Sequence, residues 1–171
     1  CFFPALTGGV ALRLSEGWKE VPRSVETAAA GVRTFLCGLG KVAVLANLLW
    51  QMADGFHRST EGSVLYAWIY AVSVTLGCYY VLSGWADMAV GLGRLAGVAV
   101  PENFSHPMAA ASPLKAARGW EMTVTGVIGR HLLEGLAFIL TGLWLVPGWN
   151  ALLWGALWWG SAAMEKRVGP P

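Results

Sequence analysis

Hydrophobic and polar positions fall in long blocks along this chain, not in short alternations. Cys1 to Val10 is apolar but broken by Pro4, Gly8 and Gly9, and reads as the end of a span or a re-entrant piece. Leu12 to Arg33 is the main polar stretch, with Arg13, Glu16, Lys19, Glu20, Arg23, Glu26 and Arg33. Lys19 and Arg23 stand four apart on a short helix flanked by Glu16 and Glu20, which suits a solvated or interfacial face. Thr34 to Ala53 is the first predicted span. Lys41 interrupts it near its start, so snorkelling to the interface is the cheaper reading and a pocket role the alternative. Asp54, His57, Arg58 and Glu61 then form a polar turn.

Gly62 to Ala86 carries no charge. A helix needs about 20 apolar residues to cross a bilayer, so this run suffices. Trp68, Tyr70, Tyr79, Tyr80 and Trp85 could anchor it at the interfaces. Met88 to Val100 is apolar but short, with Arg94 in its middle. It predicts a separate re-entrant or interfacial helix, whose Gly91, Gly93 and Gly97 admit a close neighbour. Pro101 to His131 is a mixed connection in which Lys115, Arg118 and Trp120 suit a helix in the headgroup layer. Gly135 to Met164 is again free of charge, split by Pro147-Gly148 and loaded with Trp144, Trp149, Trp154, Trp158 and Trp159. It is either one long kinked span or a hairpin of two shorter segments.

These blocks predict an all-α, polytopic membrane protein, with residues 1–171 as a single membrane domain. The opening CFFPALTGG has no initiator methionine, basic region or cleavage site, so it is no signal peptide and reads as a fragment edge. Composition agrees: 56% of residues are hydrophobic and 13% charged, where soluble domains carry about 25% charged residues. The net charge of +2 is too mild for nucleic acid. Lysines and arginines concentrate in Leu12 to Arg33 and Arg94 to Arg130, which places that side in the cytoplasm. Cys1, Cys37 and Cys78 have no metal-ligand spacing, and the latter two read as buried small hydrophobes. No metal site is expected.

Ionisable groups inside a membrane are costly and so are functional candidates by default. Asp87 is the sharpest. It ends the charge-free run and stands seven residues, about two helical turns, before Arg94, so the two could pair on one face. The plainer alternative is a structural salt bridge or cap. His57 lies in a turn and His106 precedes a proline. Only His131 borders a span, where Glu134 at i+3 could pair with it. HExxH, CxxC, GxSxG and P-loop patterns do not occur, and GLGRLAG follows no strand.

Several stretches together carry a resemblance. FFPALTGGVALRLSE, FLCGLGKVAVLANLL, LSGWADMAVGLGRLAG, PENFSHP and TGLWLVPGWNALLWGALWWG stand in the order seen in membrane-bound O-acyltransferases. The branch they resemble contains alginate O-acetyltransferases and D-alanyl transfer proteins of bacteria. The resemblance implies a helical enzyme of the bacterial plasma membrane. It would move an acyl group to a hydroxyl of a cell-surface polysaccharide or similar acceptor, with a membrane histidine as general base. It implies no bound cofactor and leaves the acyl donor unnamed. As partners it implies the lipid bilayer and an acyl-donor protein or export component. Ser83, Asp87, Arg94, Asn103, Trp120 and Trp144 keep the family's motif places.

The chain departs from the family at the chemistry. Where the family reads GLWHG, Gly142-Leu143-Trp144 is followed by Leu145, which cannot accept a proton. Trp159 stands for a later histidine, Val81 for an acid, and Glu121 for the histidine of RRWH. The IPLGG stretch expected after Arg130 is missing. By resemblance the copy is shortened and degenerate, with doubtful activity, and only Glu121 and His131 are left as catalytic candidates. The alternatives are a non-catalytic membrane scaffold derived from the family and, less well supported, a transporter segment lined by Asp87 and Arg94.

Overall fold

A computed structural model describes residues 20–58, 62–131, 134–145 and 148–168. The side chains of 127–131, 134–135 and 144–145 lie outside the described residues. The described chain is helical throughout, apart from loops and one backbone pairing in which the Val21 N–H donates to Gly97 O at 3.0 Å. It falls into two compact units, 20–100 and 101–168.

In the first unit, helix α1 (Val25–Gly40) starts on Ser24, whose backbone is extended and whose Oγ accepts the Thr27 N–H at 3.1 Å. Such a cap satisfies a donor the helix cannot satisfy itself. α1 runs without a break into a π-helical stretch, Lys41–Ala46, and then α2 (Asn47–His57). Together they form a helix of 33 residues, long and apolar enough to cross a membrane. The predicted start at Thr34 was therefore late. The charges before it make the first turns polar, but they do not stop a helix. The predicted polar turn after Ala53 begins inside α2, where Asp54 and Arg58 form an ion pair at 2.9 Å.

Helix α3 (Val64–Ala96) is the second membrane-length helix. Ser63 caps its start. Gly97, at φ +79, closes its end, and the Val98 N–H reaches back to Gly93 O at 2.8 Å. This left-handed glycine is the usual way to satisfy the last carbonyls. Met88 to Val100 is thus not a separate short helix. Asp87 and Arg94 lower the local hydropathy, yet nothing before Gly97 breaks the backbone.

Two glycine pairs let α1 and α3 touch. A Cβ on Gly38 would sit 2.6 Å from Gly84 O, and one on Gly91 would sit 2.7 Å from Gly31 O. Within each helix the two glycines are seven residues apart, so they form a stripe along one face. The opposite faces stay apolar and outward: Leu36, Val44, Leu48, Leu65 and Trp68 are all more than half exposed. A soluble core helix would bury such side chains. Cys37 is exposed and Cys78 half-buried, which corrects the expectation that both are buried. Cys37 lies on an outward face, where thiol and apolar side chains are equally at home.

In the second unit, α4 (Pro113–Gly119) is capped by Ser112, and the Glu165 carboxylate accepts the Leu114 N–H at 2.8 Å. That bond, first, and the Ser112 hydroxyl hold the Glu165 carboxyl below its ordinary range. α5 (Met122–His131), α6 (Glu134–Leu145) and α7 (Trp149–Val168) follow. α6 and α7 pack against each other, since a Cβ on Gly142 would lie 2.7 Å from Ala151 O and one on Gly155 would lie 2.9 Å from Phe138 O. Of the two readings of Gly135 to Met164, the hairpin is the one found. Ala117, Phe138 and Ala162 form the core, with Leu114 and Trp158 against it.

Candidate functional site: a buried carboxyl beneath tryptophans

The second unit places its most unusual side chain at the junction of α4 and α5. Glu121 is 0% exposed, and Asn103 opposite it is 1% exposed. A buried carboxyl is expensive unless it is hydrogen-bonded or neutral. Glu121 Oε2 accepts from Asn103 Nδ2 at 2.8 Å, whereas Oε1 has no hydrogen-bond partner among the described residues. Burial pushes the carboxyl up to about 7, against the smaller opposing effect of the Asn103 bond. Glu121 lies outside both membrane-length helices.

The backbone there is also unusual. Glu121 has φ +46, in the left-handed region that disfavours side chains with a Cβ. Local contacts hold it there. The Met122 N–H donates to Asn103 O at 2.9 Å, and the Thr125 N–H donates to Glu121 O at 2.9 Å. Asn103 Oδ1 accepts both the Thr123 N–H at 3.0 Å and the Thr123 hydroxyl at 2.6 Å. The asparagine of Pro101-Glu102-Asn103-Phe104 therefore caps α5 from a distance in sequence, with its other amide atom on the carboxylate. Gly119 admits this loop, since a Cβ there would meet Ser105 O at 2.8 Å.

A chain of aromatic contacts runs from Phe104 through Trp120 to α7. Phe104 meets Trp120 edge-on at 5.6 Å, Trp120 meets Trp154 at 6.0 Å, and Trp154 meets Trp158 at 5.9 Å. Trp120 is buried, which corrects its expected place on a headgroup-facing helix. It turns inward at the end of α4, where Lys115 and Arg118 stay on the helix. Behind α5, the Thr125 and Thr141 hydroxyls meet at 3.1 Å, and Thr141 donates to Ala137 O at 2.8 Å. The described hydrogen-bond partner of the Glu121 carboxyl is the Asn103 amide, a neutral donor.

Ser83, Asp87 and Arg94 belong to the first unit, on α3. Asp87 does not pair with Arg94. Its Oδ2 meets Lys41 Nζ at 2.6 Å, and Arg94 donates to the Thr34 hydroxyl at 2.7 Å. Helix pairing at Gly38 and Gly84 brings Lys41 across to Asp87, which sequence spacing within α3 does not reveal. The lysine is accordingly an ion-pair partner of Asp87. The two side chains are 29% and 33% exposed. Ser83 is buried one turn before Asp87. His131 ends α5, and Trp144 and Leu145 end α6. Their side chains, and the suggested His131–Glu134 pairing, lie outside the described residues. Among the described residues no cluster suits a metal ion.

Sequence reasoning gave Lys41 a pocket role only as the lesser alternative, and it missed Thr123 and the Trp154–Trp158 contact. Trp154 and Trp158 stand at i, i+4, a spacing that places them on one helix face. Lys41 and Thr123 had no such local signal.

Among the described residues, the chain is helical, with two membrane-length helices and a buried carboxyl held by an amide. No family model matches the chain. It is 29% identical over 175 residues to a peptidoglycan O-acetyltransferase of Helicobacter pylori, covering 89% of this chain and 33% of that protein. It is also 29% identical to the probable alginate O-acetylase AlgI of Azotobacter vinelandii (97% of this chain, 37% of that protein) and to that of Pseudomonas aeruginosa (98% and 36%). The resemblance to membrane-bound O-acyltransferases is thereby shown: the chain's curated homologues, over most of its length, are members of that family. The chain spans about a third of the length of those relatives.

Proposed function

We propose that this chain belongs to the working part of a membrane O-acyltransferase, which moves an acetyl group onto a hydroxyl of a cell-envelope polysaccharide. Its place is the bacterial plasma membrane, beside an acyl-donor or export partner. The observation that carries this reading is Glu121: a carboxyl with a near-neutral pKa, buried where the PENF and GWE segments meet. The relatives' names, an O-acetyltransferase and alginate O-acetylases, supply the reaction class.

Acyl transfer to a hydroxyl needs a group that takes the hydroxyl proton as its oxygen attacks the acyl carbonyl. Leu145 has no lone pair to offer. A carboxylate with a pKa near 7 is well matched to that task, and a dry, low-dielectric setting strengthens its pull on the proton. In this reading Glu121 takes the acceptor proton through Oε1, the acyl–oxygen bond forms, and the donor's leaving group departs with that proton. Because the carboxyl is buried, the acceptor reaches it by displacing part of its cover. His131 is the other proton-accepting candidate.

The test uses the full-length protein in membranes with an activated acetyl donor and a polysaccharide acceptor. Glu121→Gln, which keeps the shape and the Asn103 bond, should lower transfer about 10²–10⁴-fold. An unchanged rate would assign the base elsewhere, with His131→Ala as the companion variant. Absence of transfer by the wild-type protein would sink the catalytic reading. It would leave the second one, a non-catalytic membrane scaffold, which the aliphatic Leu145 in the GLW segment favours.

A further inference from the structure

Asn103 does two different things with the two ends of one amide. Its Oδ1 holds the first turn of α5 through the Thr123 N–H and hydroxyl. Its Nδ2 donates to Glu121 Oε2. The assignment of the two amide atoms is internally consistent, because one end faces only donors and the other faces a carboxylate acceptor. A capping role alone would use only the oxygen, and aspartate serves such a role equally well. A donor aimed at a fully buried carboxylate is not needed for capping.

We infer that Asn103 is a positioning residue for proton transfer at this site: its amide N–H fixes the Glu121 carboxylate and favours the charged, proton-accepting form. This rests on the acyl-transfer reading for its purpose, but not for its physics. A hydrogen bond to the charged form of an acid favours that form. Among the described residues no charged group is a cause of the shift. Neither Lys115 nor Arg118 on α4, nor Glu102 or His106 in the loop, is among the causes acting on the Glu121 carboxyl. On α5, Arg130 and His131 have side chains outside the described residues. On α7, Glu165, Lys166 and Arg167 are likewise not among those causes. The asparagine is thus the one described group that offsets the cost of burying the carboxylate.

Asn103→Asp separates the two roles. It keeps an oxygen for the Thr123 N–H and hydroxyl, and replaces the amide donor by a second acceptor that carries like charge. Like charges sharing a site raise one of the two pKa values strongly. In the full-length protein in membranes, the protonated-carboxyl infrared band, identified by its loss in Glu121→Gln, should persist to more alkaline pH by at least about one unit. The pH–rate profile should move the same way, lowering transfer near neutral pH about 10-fold or more, with recovery as pH rises. Thr123→Val removes one bond to Oδ1 and spares Nδ2. It should lower thermal stability while the titration midpoint stays in place.

A wild-type titration midpoint in Asn103→Asp would overturn the inference and make the asparagine a cap only. A midpoint that moves in Thr123→Val as much as in Asn103→Asp would overturn it too. A shifted infrared titration in a protein that transfers no acetyl would uphold the effect of Asn103 on Glu121 and reject the acyl-transfer reading instead.

Discussion

Two acids invite comparison. Asp87 lies within the membrane-length helix α3, and Glu121 lies at the junction of α4 and α5. Asp87 is one-third exposed and directly paired with a lysine 2.6 Å away. Glu121 is wholly buried, faces an amide, and leaves one oxygen with no described partner. The first arrangement consumes the charge: ammonium and carboxylate satisfy each other and tie α1 to α3. The second leaves a proton-exchanging group available. An acid held by a full counter-charge is a poor base, and an acid held by a single neutral donor is a better one.

The comparison is most sharply tested by activity. Glu121→Gln should cost about 10²–10⁴-fold in transfer, whereas Asp87→Asn should change the rate less than about tenfold and act through stability. A loss in Asp87→Asn equal to that in Glu121→Gln, at unchanged stability, would reverse the assignment.

Next in size is the pH dependence of stability. The folded-state pKa of Glu121 is raised, to about 7 from the ordinary 4.5. Below about pH 4.5 the group is protonated in both folded and unfolded chains and costs nothing extra. Between about 4.5 and 7 the folded state holds the proton that the unfolded state has released, so stability falls as pH rises. Above about 7 the loss is complete, on the order of 3 kcal/mol. Thermal unfolding of the detergent-solubilised protein should therefore show wild type weakening across that window and Glu121→Gln weakening less. Parallel curves for the two would remove the buried carboxyl from the account.

A comparable or slightly smaller effect is expected where the first unit depends on close approach. Gly84→Val would place a Cβ 2.6 Å from Val42 Cγ2 and 2.7 Å from Gly38 O. One of these is backbone and cannot give way, so a loss of about 1–3 kcal/mol follows. The mutation should also weaken the Lys41–Asp87 pair, since the same crossing brings both residues together. The smallest effect belongs to the pair itself. At one-third exposure, the coupling between Lys41→Met and Asp87→Asn in a double-mutant cycle should be about 1 kcal/mol. A coupling near zero would mean that the glycine stripe alone sets the crossing.

Much of the fold was legible in the chain. The apolar runs Thr34 to Ala53, interrupted by Lys41, and Gly62 to Ala86, free of charge, named the two membrane-length helices, and Pro147-Gly148 named the α6–α7 hairpin as one of two options. The element ends were less legible. Ser24 and Gly97 set the true limits of α1 and α3, because capping and left-handed backbone stop a helix and a nearby charge does not. The site was half legible. Glu121 was visible as a substitution in a motif and Asn103 as a motif position, but their contact was not.

The sequence by itself determined the apolar blocks, the helical class and the absence of a proton acceptor at Leu145, because these depend on residue type and local period. Only the tertiary structure decided which acid is neutralised and which stays available. That choice turns on Lys41 reaching Asp87 across a glycine crossing, and on Asn103 reaching Glu121 across a loop. Both are contacts between residues far apart in the chain, and hydrophobic periodicity along one segment carries no information about what another segment will bring to it.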